Sequence, residues 1–323
     1  MANWGFLGAG SIAESSLGPA VRAGQGAHLY AVASRSAQRA WTLTPEKVYT
    51  NYPDLLADPA VDIVYIALHN AAHRAWAEAA LAAGKHVLCE KPLGLSATGV
   101  DSMIRSARAA DRLLVEAAWN RWHPRTQEME SLVGSGAIGQ AVHVTSRFHG
   151  LAPAAGNYRL DSALGGGALY DVGYYAISAT LAAFGWQTPR VERVRHRRWT
   201  PTSADSSLSM RLAFPRGGTA DIECSLTGTL AEEFTVRGTD GAVSLSSPAF
   251  TAGVQPARLD ITKEGCTTDI KHYPAVDPYR LMVENIERSL AGEAAYVMPL
   301  EQTRLIAQVI DAARTVIGFP PGG

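Results

Sequence analysis

A short apolar strand predicted at residues 3–7 runs directly into a glycine-rich turn, GAGSI at 8–12, and this combination limits the folds that the chain can adopt. Gly8 permits a tight turn, Gly10 lets a pyrophosphate approach the backbone, and the following helix presents free N–H groups to the phosphates. A structural turn without a ligand is the alternative. Because the glycines stand between a strand and a helix, the pattern favours a dinucleotide-binding site that includes Gly8, Gly10, Ser11 and Ile12.

The order of strands and helices indicates a doubly wound sheet. Strand and helix patterns alternate through about residue 118, and strands such as 61–67 are nearly all apolar, as in parallel sheets covered on both faces. After a helix predicted at 124–133, polar and apolar residues alternate strictly in 208–214 and in 219–226. Such alternation predicts strands with one buried face.

These patterns predict an α/β fold with two domains. Residues 1–120 are expected to form an N-terminal Rossmann domain with a doubly wound parallel sheet. Residues 121–323 are expected to form a C-terminal α+β domain with an open, largely antiparallel sheet, used for substrate binding and oligomerisation. The length of 323 residues suffices for two such cores. Two further helical patterns, 279–291 and 300–317, are expected to cover the buried face of the C-terminal sheet.

Composition and charge exclude several classes of protein. The chain carries 29 basic and 30 acidic side chains, so no net field attracts it to nucleic acid or to an anionic membrane. No apolar run is long enough to span a bilayer, and the N-terminus lacks the basic region of a signal peptide. Cys89, Cys224 and Cys266 show no CxxC spacing, and the histidines show no metal-ligand spacing. We therefore expect a cytoplasmic protein without a disulfide framework or a metal site.

The end of the second predicted strand indicates which dinucleotide binds. NAD enzymes usually place Asp or Glu there to hold the ribose hydroxyls, but residues 28–38 contain no acid. Arg35 can instead form a forked contact with a 2′-phosphate, Ser34 can donate to the same phosphate, and Arg39 can add charge one helical turn later. A solvated arginine in a loop is the alternative. The pattern favours NADP(H) as the cofactor.

Two further segments carry side chains suited to proton transfer. Lys91 lies in Glu-Lys-Pro directly after the strand predicted at 86–89, at the edge where doubly wound sheets bind ligands. A lysine there can stabilise developing negative charge. Asp171 and Tyr175 are four residues apart on a helix predicted to begin near residue 168, so they share one face. A surface lysine and a packed core tyrosine are the alternative interpretations.

Together these segments resemble the Gfo/Idh/MocA family of oxidoreductases, the glucose–fructose oxidoreductase and inositol dehydrogenase group. The resemblance spans nearly the whole chain and rests on GFLGAGSIAES at 5–15, EKPL at 90–93, EAAWNRWHP at 116–124 and GGGALYDVGYYAIS at 165–178. Tyr175 stands where many members carry His, which resembles the branch of NADP-dependent xylose dehydrogenase, dihydrodiol dehydrogenase and sugar ketoreductases. The resemblance implies hydride transfer between NADP(H) and a carbinol or carbonyl of a pyranose- or cyclitol-like substrate.

The same resemblance assigns roles to the reacting groups. It implies that Tyr175 exchanges the proton with the substrate oxygen, that Lys91 assists it, and that Asp171 orients the polar groups. Three residues that flank these segments in the sequence are predicted to bind hydroxyl or ring oxygens of the substrate. A salt bridge or a packed side chain is the alternative for each of them: Arg121, Tyr158 and Arg159.

Further cofactor contacts are also implied by the resemblance. Asn70 matches the asparagine of the family's Thr-Pro-Asn turn, although Leu68-His69 replaces Thr-Pro here. His73 follows on an alanine-rich helix that we predict to be exposed, and family members often have His there near the nicotinamide. Glu90 and Lys91 of Glu-Lys-Pro complete the predicted cofactor site. The resemblance finally implies association through the open face of the C-terminal sheet, giving a homodimer or a higher homo-oligomer.

Two other functions are consistent with the same residues. Oxidation of an aromatic dihydrodiol, or reduction of a carbonyl that is not part of a sugar, would use the same cofactor and the same proton donor. A non-catalytic NADP-binding regulator on the same fold would be free to lose the lysine–tyrosine pair. The chain retains both Lys91 and Tyr175, which favours an enzyme.

Overall fold

The computed structural model of the protein describes residues 1–200, 203–263 and 269–319, so Cys266 lies outside the described residues. The chain divides into two compact units. The first unit consists of Met1–Gly94, Thr98–Trp122 and Asp277–Thr303, and the second of Leu95–Ala97, His123–Val276 and Arg304–Gly323. The chain therefore returns to the first unit after it has completed the sheet of the second.

The first unit is built on a parallel sheet, whose strands are β1 (Ala2–Leu7), β2 (Ala27–Ala33), β3 (Lys47–Tyr49), β4 (Ile63–Ile66), β5 (His86–Cys89) and β6 (Leu114–Glu116). Their order is β3-β2-β1-β4-β5-β6, and every neighbouring pair is parallel. All residues of β4 are buried, as expected where helices cover both faces of a sheet. The predicted doubly wound Rossmann sheet is confirmed.

Helices connect these strands: α1 (Gly18–Ala23), α2 (Ala37–Trp41), α3 (Tyr52–Ala57), α4 (His73–Ala82) and α5 (Ala97–Ala110). A π-helical segment at Ala13–Leu17 leads into α1, and Gly24 forms the C-cap of α1. The helix α2 has five residues, and its N-cap Ser36 accepts a hydrogen bond from the N–H of Arg39 at 3.3 Å. The crossover between β2 and β3 is therefore short.

The second unit is built on β7 (Ala141–His149), β8 (Arg190–Arg198), β9 (Asp205–Ala213), β10 (Thr219–Ser225), β11 (Ala231–Gly238), β12 (Gly241–Leu245), β13 (Ala257–Lys263) and β14 (Asp269–Tyr273). Their order is β14-β13-β12-β11-β7-β10-β9-β8, and within the described part of this sheet only β7 and β10 are parallel neighbours. The predicted, largely antiparallel sheet is confirmed. On its apolar face, α7 (Tyr174–Ala183) packs on β7 and β10, and α6 (Pro124–Gly134) packs on β13 and α7.

The helix α8 (Pro278–Leu290) was expected to cover this antiparallel sheet, and that prediction is wrong. The helix instead packs in the first unit, against α1, β2 and the 3-10 turn at Trp119–Trp122. Glu287 on its buried face accepts hydrogen bonds from Trp4 Nε1 at 2.8 Å and from Ala2 N at 3.2 Å. The spacing of apolar residues identifies the buried face of a helix, but it does not show which part of the protein covers that face. For α8, the hydrogen bonds from Trp4 and Ala2 to the buried Glu287 stabilise its position in the first unit. The last helix, α9, spans Leu300–Val316.

The other face of the antiparallel sheet, which we call the polar face, carries ion pairs between neighbouring strands. Arg147 on β7 pairs with Glu223 on β10 at 3.2 Å and with Glu233 on β11 at 3.0 Å. Arg211 on β9 forms two hydrogen bonds with Asp221 on β10, of 2.8 and 2.6 Å. Charges of both signs therefore alternate across this partly exposed face.

Membrane spans, thiols and metal sites can be judged for the described residues alone. Within them, no helix is long and apolar enough to cross a membrane. Cys89 and Cys224 are free thiols, and both are buried. No group of three or more His, Cys, Asp or Glu side chains in these parts of the chain could hold a metal ion.

Candidate active site

The glycine-rich turn follows β1, as predicted. Gly8 adopts a φ of +101°, and a Cβ there would lie 2.6 Å from the carbonyl oxygen of Ala67, so another residue would force the backbone to move. A Cβ on Gly10 would meet only that same oxygen, at 3.9 Å, which leaves space in front of the backbone. Ser11 and Ile12 begin the helical segment, whose first N–H groups have no intrahelical acceptor. The turn can therefore receive a phosphate group.

The predicted cationic residues follow the end of β2, which lies beside this turn. The N–H of Gly8 donates to the carbonyl oxygen of Ala33 at 2.9 Å, which holds the end of β2 beside the glycine turn. Ser34 is buried directly after β2, whereas Arg35 and Arg39 are exposed. Their guanidinium groups are thus free to rearrange around an anionic ligand.

An aromatic pair that no sequence motif predicts lies near Arg35. The ring of Tyr52, the first residue of α3, meets the ring of Trp76 on α4 edge-on, with 4.8 Å between the centroids. Burial raises the pKa of Tyr52, and the positive charge of Arg35 opposes that shift, so the guanidinium lies within electrostatic reach of the phenol. Because α3 and α4 follow the carboxyl ends of β3 and β4, the pair stands at the edge where doubly wound sheets bind dinucleotides.

Asn70 and His73 follow β4. Asn70 is buried and begins a 3-10 turn, and His73, the first residue of α4, is fully buried. The predicted exposure of the helix at His73 is therefore wrong, because the ring is inserted between two backbone segments. Its Nδ1 lies 2.9 Å from the oxygen of Pro92, and its Nε2 lies 3.1 Å from the oxygen of Leu68. Burial lowers the pKa of His73 to about 4, so the neutral ring donates to one of these oxygens. A contact of either residue with the cofactor stays a prediction.

Lys91 follows the carboxyl end of β5 and is partly buried. The carboxylate of Glu90 accepts hydrogen bonds from Tyr65 Oη at 2.7 Å and from the N–H of Lys91 at 3.3 Å. Glu116, at the end of β6, accepts the N–H of Leu93 at 2.7 Å. Burial raises the pKa of Glu90, and the hydrogen bond from Tyr65 opposes that shift. Two buried carboxyl groups thus fix the backbone on both sides of Lys91, while a contact of Glu90 with the cofactor stays a prediction.

In the second unit, Asp171 and Tyr175 lie on the helical segment that follows the three glycines. The segment is π-helical over Leu169–Gly173 and continues as α7. Asp171 Oδ2 accepts a hydrogen bond from Arg159 Nε at 2.7 Å. Tyr175 is 6% exposed, and its ring packs against Phe148 with 5.6 Å between the centroids. The structure thus joins Asp171 to Arg159, which the sequence analysis had assigned to the substrate.

Asp205 fixes the start of this helical segment, although no sequence motif predicts this role. Its Oδ2 accepts the N–H of Leu169 at 2.8 Å, and the residue is 1% exposed. Gly167 adopts a φ of +121°, and a Cβ there would lie 2.1 Å from Asp205 Oδ1. Asp205 lies 36 residues from its partner Leu169 in the sequence, so no local pattern marks this contact.

The other two predicted substrate residues occupy different units. Arg121 belongs to the first unit and is buried, with its Nη2 at 3.2 Å from both Tyr296 Oη and Gln302 Oε1. Tyr158 belongs to the second unit, and the guanidinium of Arg159 lies over its ring at 4.9 Å from the centroid. Contacts of these three side chains with a substrate stay predictions.

Comparison with known families accounts for both units. Residues 2–117 match a family described as an oxidoreductase family with an NAD-binding Rossmann fold. Residues 126–244 match the GFO/IDH/MocA C-terminal domain. The matched residues make up more than half of the chain, and they confirm the family resemblance and the predicted fold class.

Individual relatives extend the similarity over the whole chain. Trans-1,2-dihydrobenzene-1,2-diol dehydrogenase from Homo sapiens is 30% identical and covers 98% of each chain. D-xylose 1-dehydrogenase (NADP(+)) 2 from Haloferax volcanii is 34% identical, over 96% of this chain and 95% of its own. The structure of a 3-ketoreductase from Actinomadura kijaniata in complex with NADP and TDP-benzene is 25% identical, covers 97% of each chain and has a TM-score of 0.90. Similar chains of this length thus act on chemically different substrates.

Proposed function

The chain belongs to the Gfo/Idh/MocA oxidoreductase family, and we propose that it transfers a hydride between NADP(H) and a carbinol or carbonyl of a pyranose- or cyclitol-like sugar. The observation that carries this proposal is the environment of Tyr175. Tyr175 lies one helical turn after Asp171, which is ion-paired with Arg159. Asp205 accepts a hydrogen bond at the start of the same helical segment and so holds it in place. Such a fixed phenol suits proton exchange with a substrate oxygen.

The reaction divides between the cofactor and the protein. When bound, NADP(H) supplies or accepts the hydride. Tyr175 gives a proton to the substrate oxygen during reduction and takes it back during oxidation. The ammonium of Lys91 stabilises negative charge on that oxygen, and Asp171 orients the polar groups. Arg121 and Tyr158 are our proposed contacts to substrate hydroxyls.

The residues at the glycine turn fit a phosphorylated dinucleotide. Gly8 and Gly10 leave the backbone accessible, and Ser34, Arg35 and Arg39 provide donors suited to a 2′-phosphate where an NAD enzyme usually has an acid. Relatives named as NADP-dependent or as bound to NADP support the same preference. Tyr52 and Trp76 add an apolar surface near Arg35.

We expect Arg35→Ala to raise the Michaelis constant for NADP far more than that for NAD. Loss of a charge-assisted forked contact is worth about 1.5–3 kcal/mol, or roughly ten- to a hundred-fold in that constant. Steady-state kinetics with both cofactors measure the effect. Arg105→Ala, which removes an exposed arginine from α5, is the matched control and should change neither constant. Equal effects of Arg35→Ala on both cofactors, or a wild-type preference for NAD, would contradict the assignment.

A substrate screen tests the function itself. NADP+ reduction and NADPH oxidation should be measured with aldoses, inositols, keto sugars and aromatic dihydrodiols. We expect the highest kcat/KM with a sugar or cyclitol, and a marked loss when hydroxyls are removed one by one, because a site built for hydroxyls rejects analogues that lack them. If deoxy analogues react as well as the parent compound, the site does not recognise a sugar.

The second candidate function is oxidation of an aromatic dihydrodiol. It is favoured by the 30% identity, over 98% of each chain, to trans-1,2-dihydrobenzene-1,2-diol dehydrogenase. The same screen separates the two functions, because a dihydrodiol would then exceed every sugar in kcat/KM. A non-catalytic regulator would bind NADPH and turn over none of these compounds.

The polar face supports the proposed homodimer. Its charged side chains alternate in sign across β7, β9, β10 and β11, so a second copy of the same face offers complementary charges. Light scattering at micromolar concentration should give at least twice the chain mass, and a stable monomer would contradict the proposal. Buried free thiols at Cys89 and Cys224 fit the expected cytoplasmic location.

A further inference from the structure

The ion pair between Arg159 and Asp171 is the starting observation. Arg159 Nε donates to Asp171 Oδ2 at 2.7 Å, and the side chains are 34% and 14% exposed. A charge-assisted hydrogen bond of this length holds the guanidinium in one orientation. Asp171 lies one helical turn before Tyr175, so the bond places Arg159 beside a residue that shares a helix face with Tyr175.

The charge of Arg159 also acts on Tyr175. Burial tends to lower the pKa of Arg159, but the carboxylate of Asp171, followed by the phenols of Tyr158 and Tyr175, outweighs burial and raises that pKa above its ordinary value. An interaction between two ionisable groups is mutual. A guanidinium that is stabilised by the Tyr175 phenolate therefore stabilises that phenolate to the same extent.

The other cations near the helix of Tyr175 contact other residues. The guanidinium of Arg314 lies over the ring of Tyr170, 4.9 Å from its centroid. Arg125, on the α6 helix that packs against α7, donates to the carbonyl oxygens of Ser246, Pro248 and Ala249.

The strands packed against the helix of Tyr175 face it with Phe148 on β7, Asp205 on β9 and Cys224 on β10. Burial raises the pKa of both Asp205 and Cys224. A buried phenol in such surroundings resists ionisation unless a cation lies nearby.

We propose that Arg159 is a positioning residue for proton transfer, which Asp171 holds in place so that its positive charge stabilises the Tyr175 phenolate. The proposal rests on the proposed function, in which Tyr175 exchanges the substrate proton. It also explains what Asp171 does, because its carboxylate orients the cation and is itself neutralised, so it does not repel the phenolate. Without Arg159, the same carboxylate would oppose ionisation of Tyr175 from one helical turn away.

The test measures the ionisation of Tyr175 directly, without cofactor or substrate. Tyrosinate absorbance is titrated in each protein and in the same protein with Tyr175→Phe, and the difference isolates Tyr175. Arg159→Gln should move this ionisation upward by about one to three pH units, the usual effect of a close opposite charge. The pH profile of kcat/KM should move in the same direction. Arg190→Gln, which breaks an exposed Arg190–Glu192 pair of 2.7 Å in the same unit, is the matched control and should move neither.

A second comparison uses the background Asp171→Asn. There, Arg159→Gln removes the cation without leaving an unpaired carboxylate, so this pair of variants remains informative if the single Arg159→Gln protein does not fold. The ionisation should again move upward, but by less than in the wild-type background, because no carboxylate is unmasked. An upward shift that is larger in the wild-type background than in the Asp171→Asn background distinguishes electrostatic stabilisation of the phenolate from a merely structural role of Arg159.

Each outcome of the titration bears on Arg159 in a different way. An unchanged Tyr175 titration on adding Arg159→Gln to Asp171→Asn overturns the proposal, and a rise in the Michaelis constant of a sugar without any change in titration assigns Arg159 to the substrate instead. Failure of the proposed function is visible separately, because Tyr175→Phe would then retain wild-type kcat whatever Arg159 does to the titration. An upward shift in both backgrounds supports Arg159 as the positioning cation.

Discussion

Tyr175→Phe should lower kcat by about 10²–10⁴-fold and leave NADPH binding nearly unchanged. This is the usual range for removal of a general acid–base from an enzyme. The substitution deletes the ionisable proton and keeps the ring, which is 6% exposed and packs on Phe148 and Tyr174. Steady-state kinetics give the loss in kcat, and quenching of protein fluorescence by NADPH gives the binding constant.

A matched control lies one residue earlier. Tyr174→Phe makes the same chemical change in a side chain that is 1% exposed on the same helix, and it should leave kcat within a few-fold of the wild-type value. Should Tyr175→Phe retain more than about a tenth of wild-type kcat at the optimal pH, the substrate proton must come from another group. Asp171 would be the next group to examine, although its ion pair with Arg159 favours the ionised form.

The parts of the fold that can be predicted from the sequence are those determined by residues close together in the chain. The turn at Gly8 requires a positive φ and a close approach to the backbone of Ala67, and glycine between a strand and a helix signals both conditions. The strands of both sheets follow from continuous apolar runs and from strict alternation, which depend on burial of one or both faces. Prediction succeeded where neighbours in the sequence determine the conformation.

Partners distant in the sequence account for what could not be predicted. The helix α8 is held in the first unit by the hydrogen bond between Glu287 and Trp4. The helical segment that contains Tyr175 begins where Asp205 accepts a hydrogen bond from the N–H of Leu169. His73 is buried because its ring reaches backbone oxygens on two separate segments. A buried polar group must be satisfied, but no local pattern says which distant group will satisfy it.

In the candidate site, too, short motifs could be recognised in the sequence, whereas contacts between distant residues could not. Lys91, Asp171 and Tyr175 stand out as residue types in short motifs, yet the pairing of Asp171 with Arg159 is visible only in the structure. The position of Arg159 beside a motif in the sequence predicts a contact with the substrate. The 2.7 Å bond to Asp171 points to a contribution through Tyr175, which only three-dimensional contacts can reveal.

Lys91→Ala should lower kcat at least as much as Tyr175→Phe does. In the proposed mechanism the ammonium stabilises negative charge on the reacting oxygen and favours the ionised phenol, so its loss should affect both the substrate and the proton donor. Glu90 and Glu116 hold the backbone on both sides of Lys91 through hydrogen bonds to main-chain N–H groups, so the fold of the turn should survive the substitution. Lys91→Met keeps most of the packed stem, and an equal loss of kcat in that variant would assign the effect to the charge.

The double variant Lys91→Ala/Tyr175→Phe decides whether the two residues act as a unit. Independent contributions would multiply, and the double variant would then lose about the product of the two single losses. Residues that serve one step are not additive, because once the proton donor is gone the charge that activates it has little left to act on. We therefore expect the double variant to be within about tenfold of the more impaired single variant. A loss equal to the product would show that Lys91 and Tyr175 serve separate steps, and Lys91 would then be assigned to binding of the substrate or the cofactor.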